Sequence, residues 1–182
     1  MLKFQNIKGE RLDLVKIDMS GLDDIHEYST NPQFFTYFEY DAYASKNQTR
    51  QFLKKMIESE SKKFHCWFIR LKNKKIIGTF TVRDINIQRQ SCEIAYGISP
   101  KYWGNGYFYE SALLVIKYIF EKLKFHRIIA KVHIKNSKSI KGLKKIGFKQ
   151  ECKMRDFFYD KNGKRNDALL FSILATDKIT IN

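Results

Sequence analysis

The segment Ile98-Ser-Pro-Lys-Tyr-Trp-Gly-Asn-Gly-Tyr-Phe-Tyr-Glu110 lies between an alternating apolar pattern and a helical one. It places two glycines, Gly104 and Gly106, at the point where a strand ends and a long helix begins. Free backbone N–H groups and the helix dipole favour a bound anion at such a junction, and glycine lets a phosphate approach the backbone closely. An ordinary turn has the same pattern, so this stretch by itself predicts strand, loop and helix and leaves the phosphate role open.

Two periodic segments follow this loop. Over residues 106–124 the apolar side chains recur at three- and four-residue steps, which predicts a long amphipathic helix. Over residues 126–134 they alternate, which predicts a strand. A helix between two strands makes those strands parallel neighbours, so we expect a ligand cleft where they meet.

The segments upstream of the loop predict strands and helices in a mixed order. Alternating patterns after Arg11 and over residues 66–71, 76–87 and 91–98 predict a first strand and then a meander of three. Two capping-box motifs predict helices ending near residues 30 and 63. These motifs are Ser20 with Asp23, and Ser45 with Gln48.

A short helix and a hairpin are expected at the end of the chain. The helix covers residues 137–145, with Gly147 as its C-cap, and the hairpin pairs residues 147–155 with 167–175 through a turn at 161–164. The fold class is therefore α/β (α+β), with a mixed sheet of about seven strands and about four helices.

Composition bounds the class of protein. The chain has 182 residues, of which 43% are hydrophobic, so we expect one domain over residues 1–182. Cys66, Cys92 and Cys152 are widely spaced, which suggests neither a disulfide framework nor a metal site and favours a cytoplasmic protein. Residues 1–10 lack the apolar core of a signal peptide, and we expect no membrane partner.

The charge of the chain is strongly basic. The 34 Lys and Arg residues against 19 Asp and Glu residues give a formal net charge of +15. Such a field attracts nucleic acid, anionic lipid, acidic proteins and phosphorylated small molecules without selecting among them. The alternative is that the chain is rich in lysine without having any anionic partner.

Four linked motifs identify a family. They are Tyr102-Trp-Gly-Asn-Gly-Tyr with Glu110, Phe125-His-Arg-Ile, Asn136-Ser-Lys-Ser-Ile and Leu143-Lys-Lys-Ile-Gly-Phe148. Their sequence and order resemble the GNAT superfamily of acetyl-CoA-dependent N-acetyltransferases, and most closely the branch of ribosomal-protein alanine and serine N-acetyltransferases. Arg11-Leu-Asp-Leu and Ile77-Gly-Thr extend the likeness over nearly the whole chain. The resemblance implies a centrally splayed sheet with acetyl-CoA inserted between two parallel strands.

The resemblance also implies a set of cofactor contacts. The family's phosphate loop falls on Trp103, Gly104, Asn105, Gly106, Tyr107 and Phe108, and Tyr109 follows it. Only Gly106 matches the family pattern strictly, but backbone amides hold the pyrophosphate, so the loop is still expected to bind it. The pantetheine arm is expected to pair with Tyr96, Gly97 and Ile98, where an N–H can polarise the acetyl carbonyl. Asn136 is expected to contact the arm, to cap the next helix, or both.

Few residues are available for proton transfer. The family's thiolate acid, a tyrosine, is replaced by Leu143, and we expect Ser139 to donate to the sulfur unless it is an ordinary helix residue. Lys131 and Val132 stand where the family often has its glutamate. That leaves Glu93 as the expected base, acting through water, with a cross-strand ion pair as its alternative role. His133 is the second candidate.

The expected function is acetyl transfer to a primary amine, directly in a ternary complex, because no nucleophilic triad is apparent. The alternatives are an inactive acetyl-CoA-binding sensor or scaffold and, less favoured, a nucleic-acid-binding module that uses the aromatic residues of 31–43 and 157–159. The charge disfavours a polyamine and favours an acidic protein N-terminus or a nucleotide-linked amino sugar. Acceptor specificity is expected from residues 22–63 and 157–166, in a monomer or homodimer.

Overall fold

The computed structural model describes residues 4–61, 63–160 and 162–179, and within them eight strands form a single sheet flanked by four α-helices. The strands are β1 (Ile7–Lys8), β2 (Leu12–Lys16), β3 (Phe64–Leu71), β4 (Ile76–Asn86), β5 (Ser91–Ile98), β6 (Arg127–His133), β7 (Lys149–Tyr159) and β8 (Arg165–Leu174). The helices are α1 (Leu22–Ser29), α2 (Lys46–Glu58), α3 (Tyr107–Glu121) and α4 (Ser137–Ile146). The strand order is β1-β2-β3-β4-β5-β6-β8-β7.

The sheet is splayed at its middle. All neighbouring strands are antiparallel except β5 and β6, which α3 connects in the parallel sense. These two strands pair only between Ser91–Glu93 and Arg127–Ile129. Beyond this point β5 continues to Ile98 and β6 to His133, and the two strands no longer pair with each other. The result is a V-shaped opening at the carboxyl ends of both strands, as the resemblance implies.

Helices cover both faces of the sheet, so the central strands are buried on both sides. Successive residues of β3 show this, because Trp67 belongs to the core beneath α3 and α4 whereas Phe68 belongs to the core beneath α1 and α2. The first core takes Val115, Ile116, Ile119, Leu143 and Ile146 from its helices. The second takes Ile25 and Leu53.

Several predicted boundaries are confirmed and others are wrong. Ser45 and Gln48 form the expected capping box of α2, and Gly147 ends α4. The capping box at Ser20 is wrong, because α1 begins after Gly21 and the Asp18 side chain instead accepts from the Ser20 N–H, in a short 3-10 helix. Helix α2 ends at Glu58, well before residue 63.

The sequence pattern also undercounts the strands. Strand β1 has only two residues, which is too short for an alternation to reveal it, and it pairs antiparallel with β2. In the final hairpin, strands β7 and β8 extend closer to the turn than expected. Of the predicted turn, Lys161 lies outside the described residues.

Candidate active site

The loop before α3 has the backbone conformation that its glycines predict. Gly104 and Gly106 have φ values of 80° and 77°, in the left-handed region that glycine adopts without strain. Gly106 is the N-cap of α3 and offers no side chain to the first turn of the helix. The first N–H groups of a helix have no acceptor within it, so those of α3 are available to an anion.

Arg11 holds this loop in place. Its Nη1 donates to the carbonyl oxygen of Asn105 at 2.9 Å, and its Nε donates to Glu110 Oε2 at 2.7 Å. The Arg11 backbone N–H donates to the other oxygen of the same carboxylate at 2.9 Å, and the guanidinium lies 5.0 Å from the centroid of the Tyr107 ring. These contacts join the approach to β2, the loop and the first turn of α3. Glu110 therefore has the structural role that its position suggests.

Trp103 and Phe108, two of the six residues of the expected phosphate loop, have packing roles. Trp103 Nε1 donates to the carbonyl oxygen of Ile98 at 2.7 Å, which ties the loop to the end of β5. The Phe108 ring lies 4.2 Å from the Tyr96 ring and packs so closely on Gly142 of α4 that a Cβ there would come within 2.7 Å of it. These contacts stabilise the loop without using the side chains of the family pattern.

A hydrogen bond connects β5 to α4. The Tyr96 hydroxyl lies 2.5 Å from Ser139 Oγ, and the Asn136 side chain accepts from the Ser139 N–H at 3.1 Å as the N-cap of α4. Burial raises the pKa of Tyr96, so its phenol keeps its proton at physiological pH. Leu143 is fully buried in the core, and its aliphatic side chain has no proton to donate.

Glu93 is held by two cations. Its side chain is 1% exposed, Arg83 Nε and Nη2 donate to Oε1 at 3.1 Å and 2.5 Å, and Lys131 Nζ lies 2.6 Å from Oε2. Arg83 is its direct cross-strand partner on β4. Protonation of Glu93 would disrupt both ion pairs, so the geometry favours the cross-strand ion pair. The base role stays a prediction that the geometry does not support.

His133, the second candidate base, lies near the end of β6. Its ring centroid is 5.2 Å from that of Tyr37 and 6.1 Å from that of Phe158. Burial lowers the pKa of His133, so the imidazole is neutral at pH 7. Its Nδ1 accepts from the Lys135 backbone N–H at 3.2 Å, which occupies one of the two ring nitrogens.

A cavity of about 190 Å³ lies on the face of the sheet that α1 and α2 cover. Thr79, Thr81 and Arg83 of β4 and Ala95 and Gly97 of β5 form its floor. Its aromatic wall comes mostly from the segment between α1 and α2 and includes Phe34, Phe35, Phe38, Tyr40, Tyr43 and Phe52. The segment that the sequence analysis assigned to acceptor specificity thus lines a cavity that reaches the open end of β5.

Arg83 is the cavity residue that sequence reasoning missed. The signal was present, because Thr79, Thr81 and Arg83 follow each other at two-residue steps on one face of the strand, whereas Phe80 and Val82 between them are apolar. A charged residue on a buried strand face is paired or functional. The partner of Arg83, however, depends on the register between β4 and β5.

Comparison with known proteins identifies the family. The sequence model of the acetyltransferase (GNAT) domain matches residues 11–149. The chain belongs to the GNAT family of N-acetyltransferases. Members of this family use acetyl-CoA. None of the helices in the described part of this GNAT chain is long and apolar enough to cross a membrane.

Relatives cover most of the chain. An uncharacterised N-acetyltransferase of Bacillus licheniformis, p20, is 29% identical over 172 residues, or 92% of this chain and 95% of that protein. The spermidine N(1)-acetyltransferase of Vibrio cholerae is 24% identical over 166 residues, or 91% of this chain and 94% of that protein.

Solved structures show the same fold. A GNAT-family acetyltransferase from Bacillus anthracis superposes with a TM-score of 0.83 at 25% identity, covering 94% of this chain and 99% of that one. The Vibrio cholerae spermidine N-acetyltransferase, solved with CoA and spermine, has a TM-score of 0.78 at 23% identity over 92% of this chain and 98% of that one. The fold expectation is therefore confirmed.

Replacing Gly106 by valine tests the phosphate loop. A Cβ at this position is strained at φ 77° and comes 3.3 Å from Arg11 Nη2, so valine strains the backbone of the loop and displaces the arginine that holds it. We expect the acetyl-CoA dissociation constant, measured by calorimetry, to rise at least tenfold, or about 1.4 kcal/mol. Gly163→Val is the matched control, because Gly163 has φ 75° with nothing within 4 Å of its Cβ. Equal dissociation constants for the two folded variants would contradict the assignment.

Proposed function

We propose that this protein transfers the acetyl group of acetyl-CoA to a primary amine, directly and in a ternary complex. The observation that carries the proposal is the open end of β5. The loop before α3 and the Tyr96 side chain lie on one side of this strand, and the cavity floor at Ala95 and Gly97 lies on the other. A donor and an acceptor bound at these two sites would meet where the sheet is splayed.

The backbone of β5 supports the polarisation of the acetyl carbonyl. The Ser99 N–H donates to the carbonyl oxygen of Ile77 on β4 at 2.8 Å. Because hydrogen-bonding direction alternates along a strand, the N–H groups of Ile98 and Tyr96 point the other way, into the V. We propose that they bind the pantetheine arm and the oxygen that becomes negative during attack.

The apolar wall of the cavity favours the neutral form of the amine. Its wall consists mainly of aromatic and aliphatic side chains, and transfer of an ammonium ion from water to such surroundings favours loss of its proton. The neutral nitrogen attacks the thioester carbon, the C–S bond breaks and CoA leaves as the thiolate. The proton that the nitrogen loses on forming the amide passes to water and the thiolate takes one up, so that the products are the amide and free CoA. Ser139 is proposed to donate to the departing sulfur, because Tyr96 keeps its proton and can donate to Ser139 Oγ.

The acceptor is proposed to be an acidic protein N-terminus or a nucleotide-linked amino sugar rather than a polyamine. The net charge of +15 supports this choice, although a relative from Vibrio cholerae is named for spermidine. The three free thiols of Cys66, Cys92 and Cys152 fit the proposed cytoplasmic location. One sheet joins the described residues from β1 to β8, as the proposed single domain requires.

An inactive acetyl-CoA sensor is the second candidate. It is favoured by the absence of an acid at Leu143 and by the two cations on Glu93. Incubation with acetyl-CoA and a panel of peptide N-termini, amino sugars and arylalkylamines, followed by thiol release and product mass, separates the two. Enzyme activity predicts an increase of 42 Da in one acceptor class. Tight acetyl-CoA binding with no acetylated product would instead support the sensor.

The hydrogen bond between Tyr96 and Ser139 gives a further prediction. Ser139→Ala removes the donor to sulfur, and Tyr96→Phe removes the group that orients it. We expect each change to lower kcat by roughly 3- to 10-fold, and the double variant to lose no more than the worse single one, since the two act as one unit. Strictly multiplicative losses would show that the hydroxyls act independently.

Glu93→Gln distinguishes a base from an ion-pair partner. A lost base would lower kcat by roughly 10²-fold and flatten the acidic limb of the pH profile. The ion pairs lead us to expect a lower Tm, kcat within about threefold of wild type and an unchanged acidic limb. Glu151→Gln, which also removes a carboxylate from an ion pair with an arginine, is the control for stability. A flattened limb for the Glu93 variant alone would restore the base role.

A further inference from the structure

We propose that the acceptor is a primary amine on an apolar, aromatic-sized body that carries an anionic group, and that Arg83 binds this group. The proposal rests on the proposed function and names the substrate class of the same site. It also implies that polyamines are poor substrates. The argument comes from the charge, the hydrogen-bond donors and the length of the cavity.

The charge of the cavity has one sign. Among the described residues that line it there is no Asp or Glu, and Arg83 is the charged one. A polyamine would enter with several positive charges and meet a cation with no carboxylate on the wall to offset it. The wall residues Phe34, Phe35, Phe38 and Phe52 would fit a flat or branched apolar body instead.

Arg83 retains donors for a ligand. A guanidinium has five N–H groups, and Glu93 accepts from Nε and from Nη2, which leaves three. The Arg83 side chain is 46% exposed, in contrast to the 1% of Glu93. Lys131 also contacts the Glu93 carboxylate. The formal charges of Arg83, Lys131 and Glu93 therefore add up to one positive charge at this end of the cavity. An anionic group would complete this arrangement with charge-assisted hydrogen bonds.

The length of the cavity sets the distance between the amine and the anion. Thr79 pairs with Gly97 at the open end of β5, where the proposed transfer takes place. Arg83 pairs with Glu93 at the opposite end of the cavity floor. Arg83 lies four residues after Thr79 along the extended strand β4, a distance of about 13 Å. The guanidinium binds Glu93 directly across the strands and so stays at its own end. A free α-amino acid, whose carboxylate is next to its amine, is therefore too short to reach both ends.

A set of matched amines tests the proposal with the full-length protein and saturating acetyl-CoA. The probes are 4′-(2-aminoethyl)biphenyl-4-carboxylate, the phosphate ester of 4′-(2-aminoethyl)biphenyl-4-ol, uncharged 2-(biphenyl-4-yl)ethylamine and spermidine; the two rings allow the amine and the anion to reach opposite ends of the cavity. We expect kcat/KM for at least one anionic probe to exceed that for the uncharged biphenyl amine by tenfold or more, with spermidine the poorest. The carboxylate and phosphate arms show which oxyanion Arg83 prefers.

Two variants locate the effect. Arg83→Gln is expected to bring the ratio of anionic to uncharged probe close to one. Arg89→Gln makes the same change of net charge in the exposed turn between β4 and β5, and is expected to keep the wild-type ratio. If Arg83→Gln does not fold, Arg83→Lys keeps a cation beside Glu93 while losing the planar fork, and is expected to lower the ratio.

The outcomes separate this inference from the proposed function. Equal rates for anionic and uncharged probes, preference for spermidine, or equal ratios in the Arg83 and Arg89 variants would overturn the role of Arg83 and leave acetyl transfer intact. Acetyl-CoA binding without acetylation of any probe or of the broader acceptor panel would overturn the proposed function, and this inference with it.

Discussion

The short pairing between β5 and β6 is the constraint on which the site depends. Three residue pairs hold the parallel strands together, and α3 and the loop before it fill the connection. Past Glu93 the facing backbone groups of the two strands need other partners, because unpaired N–H and C=O groups are costly when buried. An extended amide-containing arm such as pantetheine can supply them. On the proposed function, the break in the sheet is thus both the entrance for the donor and the reason why the donor binds there.

The two sides of the break are stabilised differently. On the donor side polar contacts fix the backbone, with Arg11 joining Asn105 to Glu110 and Trp103 bonded to Ile98. On the acceptor side aromatic side chains form the wall, and a buried ion cluster around Glu93 forms part of the floor. The donor side therefore presents N–H groups in fixed directions, as a phosphate requires. The acceptor side presents an aromatic cavity with the positively charged side chain of Arg83.

The sequence predicts local features well and long-range contacts poorly. The order of strand, loop, helix and strand around Gly106, the capping box at Ser45 and the cap at Asn136 all follow from residues within a few positions of each other. The position of Glu93 on its strand was also predictable, but its two cations come from neighbouring strands and depend on register. The hydrogen bond from Tyr96 to Ser139 spans 43 positions and leaves no mark in any local pattern.

The electrostatics of the chain act on two length scales. The net charge of +15 is spread over the surface, where physiological salt screens it beyond about 8 Å, so it bears mainly on the approach of an anionic donor to the exposed loop. The Arg83 side chain on the cavity floor is half exposed, but an anionic group bound to it would lie within hydrogen-bond distance, well inside this screening length. Loss of an exposed lysine would change the field of the net surface charge slightly and the field around Arg83 hardly at all. If Arg83 has the proposed role, discrimination among bound acceptors depends on this arginine and the carboxylate that orients it, while the net charge of the chain acts on the approach of the substrates.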